Sequence, residues 1–470
     1  MPDSSSTDSV IASLKRLLAQ LSPGDKLPSS RDLVARHGVS PVTVSRAIAQ
    51  LAAEGLVVTR PGAGSYVAAR STPARAGRAD TSWQTVALAG RDIDTSAAVM
   101  PVEAQAVAPD GEISMAGGYL HAALQPTRAL AAALARAARR PDAWHRAPAA
   151  GLAPLRAIFA RMADPAGAVD AEDVLITGGG QGALALLFRA LAAPGAPVLV
   201  ESPTYPGALA AARAAGLRPV AVPMDAEGIR PDLLADVFAM TGARVLYCQP
   251  SLHNPTGTVL AAHRRDQTIA VTRAAGAFLI EDDFGRHLGH GRPLPRPLLT
   301  EDVDGTVVYL TSLTKPTAPS LRIGAVIARG PVMRRLQTLR YVDDFFTARP
   351  LQEAAIEMLS TPAWDRHLRT LATALRDRCA TLSAAVATQL PAWRTAGYPA
   401  AGLHLWFELP DGLADGPAAD AARTLGVAVN AGTRFFPAEP DGAFLRLGFA
   451  AAANEHELAE GVRRLARIGA

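Results

Sequence analysis

Apolar residues recur at helical spacing near the start of the chain. One face of a predicted first helix carries Val10, Ile11, Leu14, Leu17, Leu18 and Leu21. After the turn SPGDKLPSS, either Ser29 or Ser30 is placed to cap a second helix that ends at Gly38. Serine side chains accept hydrogen bonds from the first free N–H groups of a helix, and glycine adopts the left-handed turn that closes one. The pattern therefore predicts two successive helices before Gly38.

A third helix and a hairpin complete this first unit. Pro41 suits the first position of a helix, which runs through PVTVSRAIAQLAAEG and ends at Gly55. The segment LVVTRPGAGSYVA then predicts two short strands around a Pro/Gly turn. Helix, helix, tight turn, helix and hairpin is the order of a winged helix-turn-helix, and we expect this unit to occupy residues 1–68.

Polar residues fall where a winged helix-turn-helix contacts DNA. The predicted DNA contacts are Ser40, Thr43, Ser45 and Arg46 at the start of the third helix, Arg31 at the start of the second, and Arg60 beside the wing tip. The start of the third helix is the end that enters a major groove, and glycines in the wing allow close approach to a phosphate backbone. The predicted partner is therefore a double-stranded DNA operator.

The rest of the chain divides into a linker and a larger α/β unit. Residues 69–108 show no sustained periodicity and are rich in small, polar and basic residues, so they are expected to form a flexible linker. Across residues 109–470, apolar runs alternate with helical runs; the apolar runs are DVLITGGG, APVLVESPTY, ARVLYCQPS, AFLIEDDF, TVVYLTSL and LRIGAVIA. Such runs are typical of parallel strands covered on both faces. The last part of the chain predicts a second, smaller α+β subdomain.

Composition favours a soluble globular protein. Of the 470 residues, 49% are hydrophobic and 19% are charged, and the net charge of +4 is too small to establish nucleic-acid binding by itself. The two cysteines, Cys248 and Cys379, form no CxxC or zinc pattern, and the scattered histidines predict no metal site. We expect no membrane span and no signal peptide, and hence a cytoplasmic location.

Lysine is nearly absent from the chain, and this draws attention to Lys315. Lysine and arginine together number 47, yet the only lysines are Lys15, Lys26 and Lys315. A desolvated lysine can lose its proton and condense with an aldehyde, whereas arginine stays charged. A bias toward arginine therefore cannot replace a lysine that has to form a Schiff base.

Motifs for a phosphate and for a ring nitrogen accompany this lysine. A strand, a glycine loop and a helix are predicted for VLITGGGQGALALLFRAL. This order suits binding of a phosphate, and it also fits a loose dinucleotide-binding motif. No GK[ST] follows, so a Walker loop is excluded. Three further motifs fall at predicted strand ends, where ligands bind in parallel sheets. They are HNPTG with Asn254, EDDF with Asp282 and Asp283, and TSLTK with Lys315. A lysine, a phosphate cradle and an acid facing a ring nitrogen are what pyridoxal 5'-phosphate (PLP) requires. The SxxK motif of penicillin-binding enzymes is excluded because no KTG exists.

Two resemblances cover nearly the whole chain. LPSSRDLVARHGVSPVTVSRAIAQLAAEGLVVTRPGAGSYV resembles the GntR family of bacterial transcription regulators, although Pro41 stands where members often carry arginine. The remainder resembles a fold-type I aminotransferase in the ordered motifs GGGQGA, PTYPG, HNPTG, EDDF, SLTK…SLRIG and FLRLGFA. Together they are similar to the MocR subfamily. This resemblance implies a PLP-binding, aminotransferase-like domain at residues 109–470, used for sensing an effector and for homodimer formation.

The resemblance also implies a role for each matching residue. Lys315 would carry PLP as an aldimine. The other cofactor ligands would be Gly180, Gln181, Ser312 and Arg322 at the phosphate, Tyr205 stacked on the pyridine ring, Asn254 at the phenolic oxygen and Asp282, rather than Asp283, at the ring nitrogen. Arg446 would bind the carboxylate of a substrate or an amino-acid-like effector.

Two departures from the family pattern bear on activity. Phe284 stands where the family usually has tyrosine, and Arg146 lies about where a tyrosine usually reaches the cofactor phosphate of the neighbouring subunit. Both changes spare cofactor binding more than turnover. We therefore expect a DNA-binding regulator in which PLP, with or without an amino compound, modulates operator binding. An active aminotransferase with a fused DNA-binding head and a Rossmann dehydrogenase are the alternatives.

Overall fold

The chain folds into two units. The computed structural model describes residues 3–68, 83, 84, 87, 111–395 and 397–468. The boundary between the two units falls between Asp92 and Ile93, inside the predicted linker. Most of that linker, 69–108, lies outside the described residues, so its limits stay a prediction.

The first unit contains three helices and a hairpin. Its elements are α1 (Asp3–Leu18), α2 (Ser30–His37), α3 (Pro41–Ala53), β1 (Val57–Arg60) and β2 (Gly64–Val67). Leu14, Leu33, Leu51 and Val57 meet in its core, each at most 2% exposed. This confirms the predicted winged helix-turn-helix. The first helix, however, ends at Leu18, so Leu21 follows it instead of extending its apolar face.

Helix caps hold the turn between α2 and α3. Ser29 is the N-cap of α2, because its Oγ accepts from the backbone N–H of Asp32 at 3.2 Å and the Asp32 carboxylate accepts in return from the Ser29 backbone. Gly38 ends α2 with a left-handed φ of 62°. Ser40 Oγ then accepts from the Thr43 N–H at 3.2 Å and begins α3. The orientation of α3 is therefore set by two capped ends and a short turn.

An eight-stranded sheet lies at the centre of the second unit. Its strands are β4 (Val174–Thr177), β5 (Pro197–Ser202), β6 (Arg218–Asp225), β7 (Gly228–Ile229), β8 (Val245–Cys248), β9 (Phe278–Asp282), β10 (Val307–Ser312) and β11 (Gly324–Ile327). They lie in the order β4-β11-β10-β9-β8-β5-β6-β7. Strands β6, β5, β8, β9 and β10 are parallel, and β11 is antiparallel to both of its neighbours. The predicted, mostly parallel sheet is thereby confirmed.

Helices cover both faces of this sheet. They are α4 (Thr127–Ala137), α5 (Ala153–Ala163), α6 (Gly180–Leu191), α7 (Pro206–Ala214), α8 (Pro231–Thr241), α9 (Ala262–Ala274), α10 (Pro331–Asp343) and α11 (Arg349–Leu359). Helices α5, α8 and α9 contribute to one apolar core, whereas α6, α7 and α10 contribute to another. In β5, Leu199 enters the first core and its neighbours Val198 and Val200 enter the second. Burial on both faces explains why the strands are continuous apolar runs.

A smaller α+β subdomain completes the second unit, as predicted. Its elements are α12 (Pro362–Gln389), β12 (His404–Glu408), α13 (Asp415–Thr424), β13 (Val427–Ala428), β14 (Asn430–Ala431), β15 (Phe444–Gly448) and α14 (Glu455–Leu465). β15 lies between β12 and β14. β13 pairs in parallel with β3 (Ile113–Ser114), so the described chain that follows the linker is hydrogen-bonded into this subdomain.

Short 3₁₀ helices occur within the connections of the second unit. They span Ala122–Leu124, Ala171–Asp173, Leu298–Thr300, Pro319–Leu321 and Gly432–Phe435. Of the helices in the described ranges, none has the length and apolar character needed to cross a lipid bilayer. Within those same ranges, no three His, Cys, Asp or Glu side chains are grouped to hold a metal ion.

Candidate functional site

The carboxyl ends of the parallel strands open into one cleft. β9 ends at Asp282 and β10 ends at Ser312, three residues before Lys315. Parallel strands direct their carboxyl ends to the same edge of a sheet. All of the predicted cofactor and carboxylate ligands line this cleft: Gly180, Gln181, Tyr205, Asn254, Asp282, Ser312, Lys315, Arg322 and Arg446. Residues spread over more than half of the sequence are thus brought together.

Lys315 occupies the middle of the cleft with a depressed pKa. Its Nζ donates to the carbonyl oxygen of Gly118 at 2.7 Å and lies 3.9 Å from the ring centre of Tyr119. Burial lowers the pKa of Lys315 to about 7, and the nearby positive charge of Arg446 adds to this effect, while Asp282 opposes it. A substantial fraction of the amine is therefore uncharged at neutral pH, which is the nucleophilic form.

Two adjacent carboxylates have different surroundings. Asp282 lines the cleft, and its Oδ2 accepts hydrogen bonds from Tyr247 Oη at 2.7 Å and from Gln249 Nε2 at 3.0 Å. Burial raises the pKa of Asp282 to about 6, against the effect of those two hydrogen bonds. Asp283 is not among the cleft residues and instead pairs with Arg286 at 2.5 Å. Asp282 is therefore the carboxylate that can meet a group bound in the cleft.

An anion cradle lies at the N-terminus of α6. Gly179 precedes this helix with a φ of 92°, and a Cβ at this position would lie 2.9 Å from a guanidinium nitrogen of Arg322. Arg322 itself has a φ of 50°, a left-handed conformation that costs a non-glycine residue about 1–3 kcal/mol and is typical of functional sites. No carboxylate of the described chain pairs with Arg322. Free helix N–H groups and a guanidinium without such a partner together favour a phosphate. Ser312 lines the same cleft, but its Oγ already accepts from the Thr314 N–H at 3.1 Å and lies 3.2 Å from the Ile323 carbonyl oxygen.

Arg446 is a buried cation without a carboxylate partner among the described residues. It is 4% exposed, and its guanidinium donates to Asn254 Oδ1 and to the Ala116 carbonyl oxygen, both at 3.0 Å. Burial lowers the pKa of Arg446 to about 10. Its Nε has no hydrogen-bond partner within the part of the chain that the structure describes. An uncompensated buried charge of this kind favours an anionic ligand such as a carboxylate.

Tyr205 and Gln181 form one wall of the cleft. The hydroxyl of Tyr205 donates to Gln181 Oε1 at 3.2 Å, and Gln181 Nε2 donates to the Gly207 carbonyl oxygen at 2.8 Å. Burial raises the pKa of Tyr205, so its hydroxyl stays neutral. The hydrogen bonds fix an aromatic face at the wall, which suits stacking against a planar ring.

The cleft also contains residues that sequence reasoning missed. They are Gly118, Tyr119, Leu184, Gln249, Leu310, Thr311, Thr314, Leu403 and His404. Most of them belong to segments without a chemical motif, although Leu184 lies in the glycine-loop stretch and Thr311 and Thr314 lie in the TSLTK stretch. Phe284, noted as a departure, does line the cleft. Arg146 does not; it is exposed and donates to the hydroxyl of Tyr341 at 3.4 Å.

In the first unit, the predicted DNA contacts lie mostly on the surface. Exposed members are Arg31, Ser40, Ser45, Arg46 and Arg60. The structure corrects this set at Thr43, which is only 6% exposed, with its Oγ1 2.9 Å from Ser40 Oγ. Thr43 belongs to the helix cap and the core, so it presents no free hydroxyl to DNA. Val42, missed in the sequence, is 59% exposed at the start of α3.

Two family profiles match the chain. Residues 6–67 match bacterial regulatory proteins, gntR family, and residues 115–465 match aminotransferase class I and II. The HTH-type transcriptional regulator YdcR of Escherichia coli (strain K12) is 31% identical over 95% of this chain and 94% of its own length. The 2-aminoadipate transaminase of Thermus thermophilus is 32% identical over 76% of this chain and 90% of its own length.

A solved structure supports the same assignment for the second unit. LysN, an alpha-aminoadipate aminotransferase from Thermus thermophilus complexed with N-(5'-phosphopyridoxyl)-L-leucine, has a TM-score of 0.71 and 31% identity over 78% of this chain and 96% of its own. The profile matches and the similarity to YdcR agree with the winged head and with the cleft described above. The chain therefore belongs to the aminotransferase class I and II family and, through its gntR-type head, to the MocR subfamily of GntR transcription regulators.

Proposed function

We propose that this protein is a transcriptional regulator whose operator affinity is modulated by PLP bound at Lys315. The observation that carries the proposal is the presence, in one chain, of a winged helix-turn-helix and a cleft in which Lys315, Asp282 and an anion cradle converge. Coupling between a ligand in the cleft and the affinity of the head for DNA would explain why the two units occur in one chain. The proposed place of action is the cytoplasm.

The donor set of the cleft fits PLP. Lys315 would bond to the aldehyde carbon and Asp282 would hold a proton on the ring nitrogen. The remaining ligands would be Gly180, Gln181, Ser312 and Arg322 at the phosphate, Tyr205 against the ring and Asn254 at the phenolic oxygen. When bound, PLP supplies an aldehyde that links to amines and a ring that withdraws electrons. An amino-acid-like effector would place its carboxylate on Arg446, which is buried and lacks a described anionic partner.

The depressed pKa of Lys315 predicts how attachment depends on pH. Only the neutral amine attacks an aldehyde, and the neutral fraction rises as pH increases through about 7. The rate constant for attachment of PLP to the apoprotein should therefore rise about tenfold between about pH 6 and about pH 8 and then level off. Stopped-flow absorbance measures this rate. A rate that rises about tenfold per pH unit from about pH 7 to about pH 9 would show an ordinary lysine instead.

Arg46 provides a test of the DNA-binding face. Its side chain is exposed on α3, the helix that enters the major groove in this motif. Arg46→Ala should lower operator affinity by about 1–3 kcal/mol, or about 5- to 150-fold, and leave PLP binding unchanged. Fluorescence anisotropy at fixed salt measures the affinity, with Arg16→Ala, an exposed arginine of α1, as the control. Wild-type affinity in Arg46→Ala would remove this residue from the interface.

We propose a homodimer through an apolar surface on the second unit. Tyr341, Val342 and Phe345 are 50%, 76% and 50% exposed, and the ring centres of Tyr341 and Phe345 are 5.1 Å apart. Trp144 is 77% exposed and lies two residues before Arg146, which donates to the Tyr341 hydroxyl at 3.4 Å. Exposed aromatic and aliphatic groups of this density mark interaction surfaces. A second copy is the fitting occupant, because paired winged heads read symmetric half-sites.

Val342 tests this interface. Val342→Asp should convert the dimer to a monomer, since an unpaired carboxylate would be buried between the subunits. Sedimentation velocity measures the oligomeric state. Val303→Asp is the matched control, because Val303 is 82% exposed at another place in the same unit. A Val342→Asp protein that remains as dimeric as wild type would place the interface elsewhere.

A second candidate function, an active aminotransferase, is favoured by the cleft itself and by the 32% identity to a transaminase. Steady production of keto acid from an amino acid would identify it.

The regulator is tested by footprinting DNA upstream of the protein's own gene and of its divergent neighbour, with and without PLP. A protected site whose occupancy changes with PLP is expected. A site that is bound identically in both conditions would contradict the proposal.

A further inference from the structure

Val42 is an exposed apolar side chain at the second position of α3. It is 59% exposed, whereas Val44 and Leu51 on the opposite face of the same helix are fully buried in the core of the first unit. Val42 is not a member of that core as the described residues form it. Packing inside the first unit therefore does not explain why an apolar residue stands here.

Formation of the helix does not explain Val42 either. The Ser40 side chain caps α3 and Pro41 occupies its first position, so the start of the helix is already determined. A β-branched residue is a poorer helix former than alanine, because its side chain loses rotational freedom. The same stiffness has a use in recognition, since it holds the two methyl groups of Val42 in a nearly fixed direction.

Val42 shares its face of α3 with polar side chains. Ser45 and Arg46, three and four residues further along, are also exposed and are therefore its neighbours on the helix surface. In a winged helix-turn-helix, residues at the start of this helix contact base edges in the major groove. Ser45 and Arg46 can form hydrogen bonds with such edges, whereas Val42 offers only methyl groups.

Charge identifies duplex DNA as the occupant of this face. Arg31, Arg46 and Arg60 are exposed on α2, α3 and the wing, and their positive charges suit a phosphate backbone. Residues 6–67 also match the gntR profile. An apolar side chain surrounded by these cations will be pressed against base edges once the phosphates are bound.

We propose that Val42 recognises a thymine of the operator through the 5-methyl group of that base. Thymine is the base that presents a methyl group in the major groove, while the other bases present donors and acceptors that Val42 cannot satisfy. Four residues of helix rise, about 6 Å, separate Val42 from Arg46, which places the thymine within about two base pairs of the base that Arg46 contacts. This inference rests on DNA binding by the head in the proposed function and adds the base that the head selects.

The test removes one methyl group from the DNA and compares the effect in two proteins. Operator duplexes are selected in vitro from random-sequence DNA with the full-length protein, and each thymine is then replaced in turn by uracil, which lacks the 5-methyl group. Fluorescence anisotropy at fixed salt and fixed PLP concentration measures the dissociation constants of wild type, Val42→Ala and Val58→Ala. Val58 is the matched control, because it is 47% exposed in the same unit but lies on β1. Alanine is a better helix former than valine, so Val42→Ala should fold, and circular dichroism checks this.

In wild type, uracil at one thymine position of each half-site should weaken binding about fourfold, the effect of one methyl group that is no longer buried. Val42→Ala should bind the thymine operator more weakly by a similar factor and should no longer respond to uracil at that position, whereas Val58→Ala should respond as wild type does. A half-site without such a position, or a uracil effect that is equal in wild type and Val42→Ala throughout, overturns the inference. Operator affinity that ignores PLP contradicts the proposed function and not this inference, so the two failures are distinguishable.

Discussion

Lys315→Ala is expected to abolish covalent attachment of PLP and to leave operator binding in the absence of PLP within about twofold of wild type. The amine at position 315 is the group in the cleft with both the position and the pKa, about 7, to bond an aldehyde. Its removal takes away the bond without disturbing the winged head, which folds around a separate core. Visible absorbance of the purified protein after addition of PLP measures the bond.

Lys315→Arg is the matched control for charge. It keeps a cation in the cleft but cannot form the bond, because arginine does not give up its proton. Both variants should lack the visible band, and borohydride treatment followed by peptide mapping should label Lys315 in wild type alone. A band of normal intensity in either variant would show that another group, or no covalent bond, holds PLP.

Asp282→Asn is expected to weaken PLP binding by about 3–5 kcal/mol, or at least about 100-fold, since a protonated ring nitrogen would be left without its buried partner. Tyr247 and Gln249 already donate to the carboxylate at 2.7 Å and 3.0 Å, which holds it as an acceptor facing the cleft. Asparagine has nearly the same shape, so the change removes charge more than volume. Equilibrium titration of PLP, followed by absorbance, measures the loss.

The neighbouring carboxylate, Asp283, provides a control that distinguishes a loss of PLP affinity from a loss of folding stability. Asp283 pairs with Arg286 and accepts from the Tyr309 hydroxyl at 2.9 Å, and it does not line the cleft. Asp283→Asn should therefore lower the free energy of unfolding, measured by urea denaturation, and leave the PLP affinity of the folded protein nearly unchanged. The reverse result, with PLP affinity lost in Asp283→Asn and retained in Asp282→Asn, would exchange the roles of the two residues.

The site could be predicted where a strand end carries a distinctive side chain. Asp282, Asn254 and Lys315 each follow an apolar run, and the geometry of a parallel sheet brings such ends together. Tyr119 and His404 could not be predicted in this way. They reach the cleft through the packing of the smaller subdomain and the segment around β3, which leaves no local spacing signal.

Other misses have local physical causes. β6 is absent from the predicted apolar runs, and its Pro219 and Pro223 are residues that disrupt a central strand. In the structure, β6 pairs with β7 only at Met224 and Asp225, so one side of it is mostly free of ladder hydrogen bonds. Thr43 illustrates the opposite problem. A polar residue near a helix start can either complete a helix cap or contact DNA. Thr43 is buried and lies beside Ser40, which assigns it to the cap.

The central claim is that PLP at Lys315 changes how the head binds DNA. The direct measurement is operator affinity of the full chain by fluorescence anisotropy at fixed salt, titrated with PLP, in wild type and in Lys315→Ala. We predict that PLP changes the wild-type dissociation constant by at least about fivefold, corresponding to a coupling free energy of about 1 kcal/mol or more, and leaves that of the variant unchanged. An operator affinity that is independent of PLP in wild type, or that responds equally in Lys315→Ala, would contradict the claim.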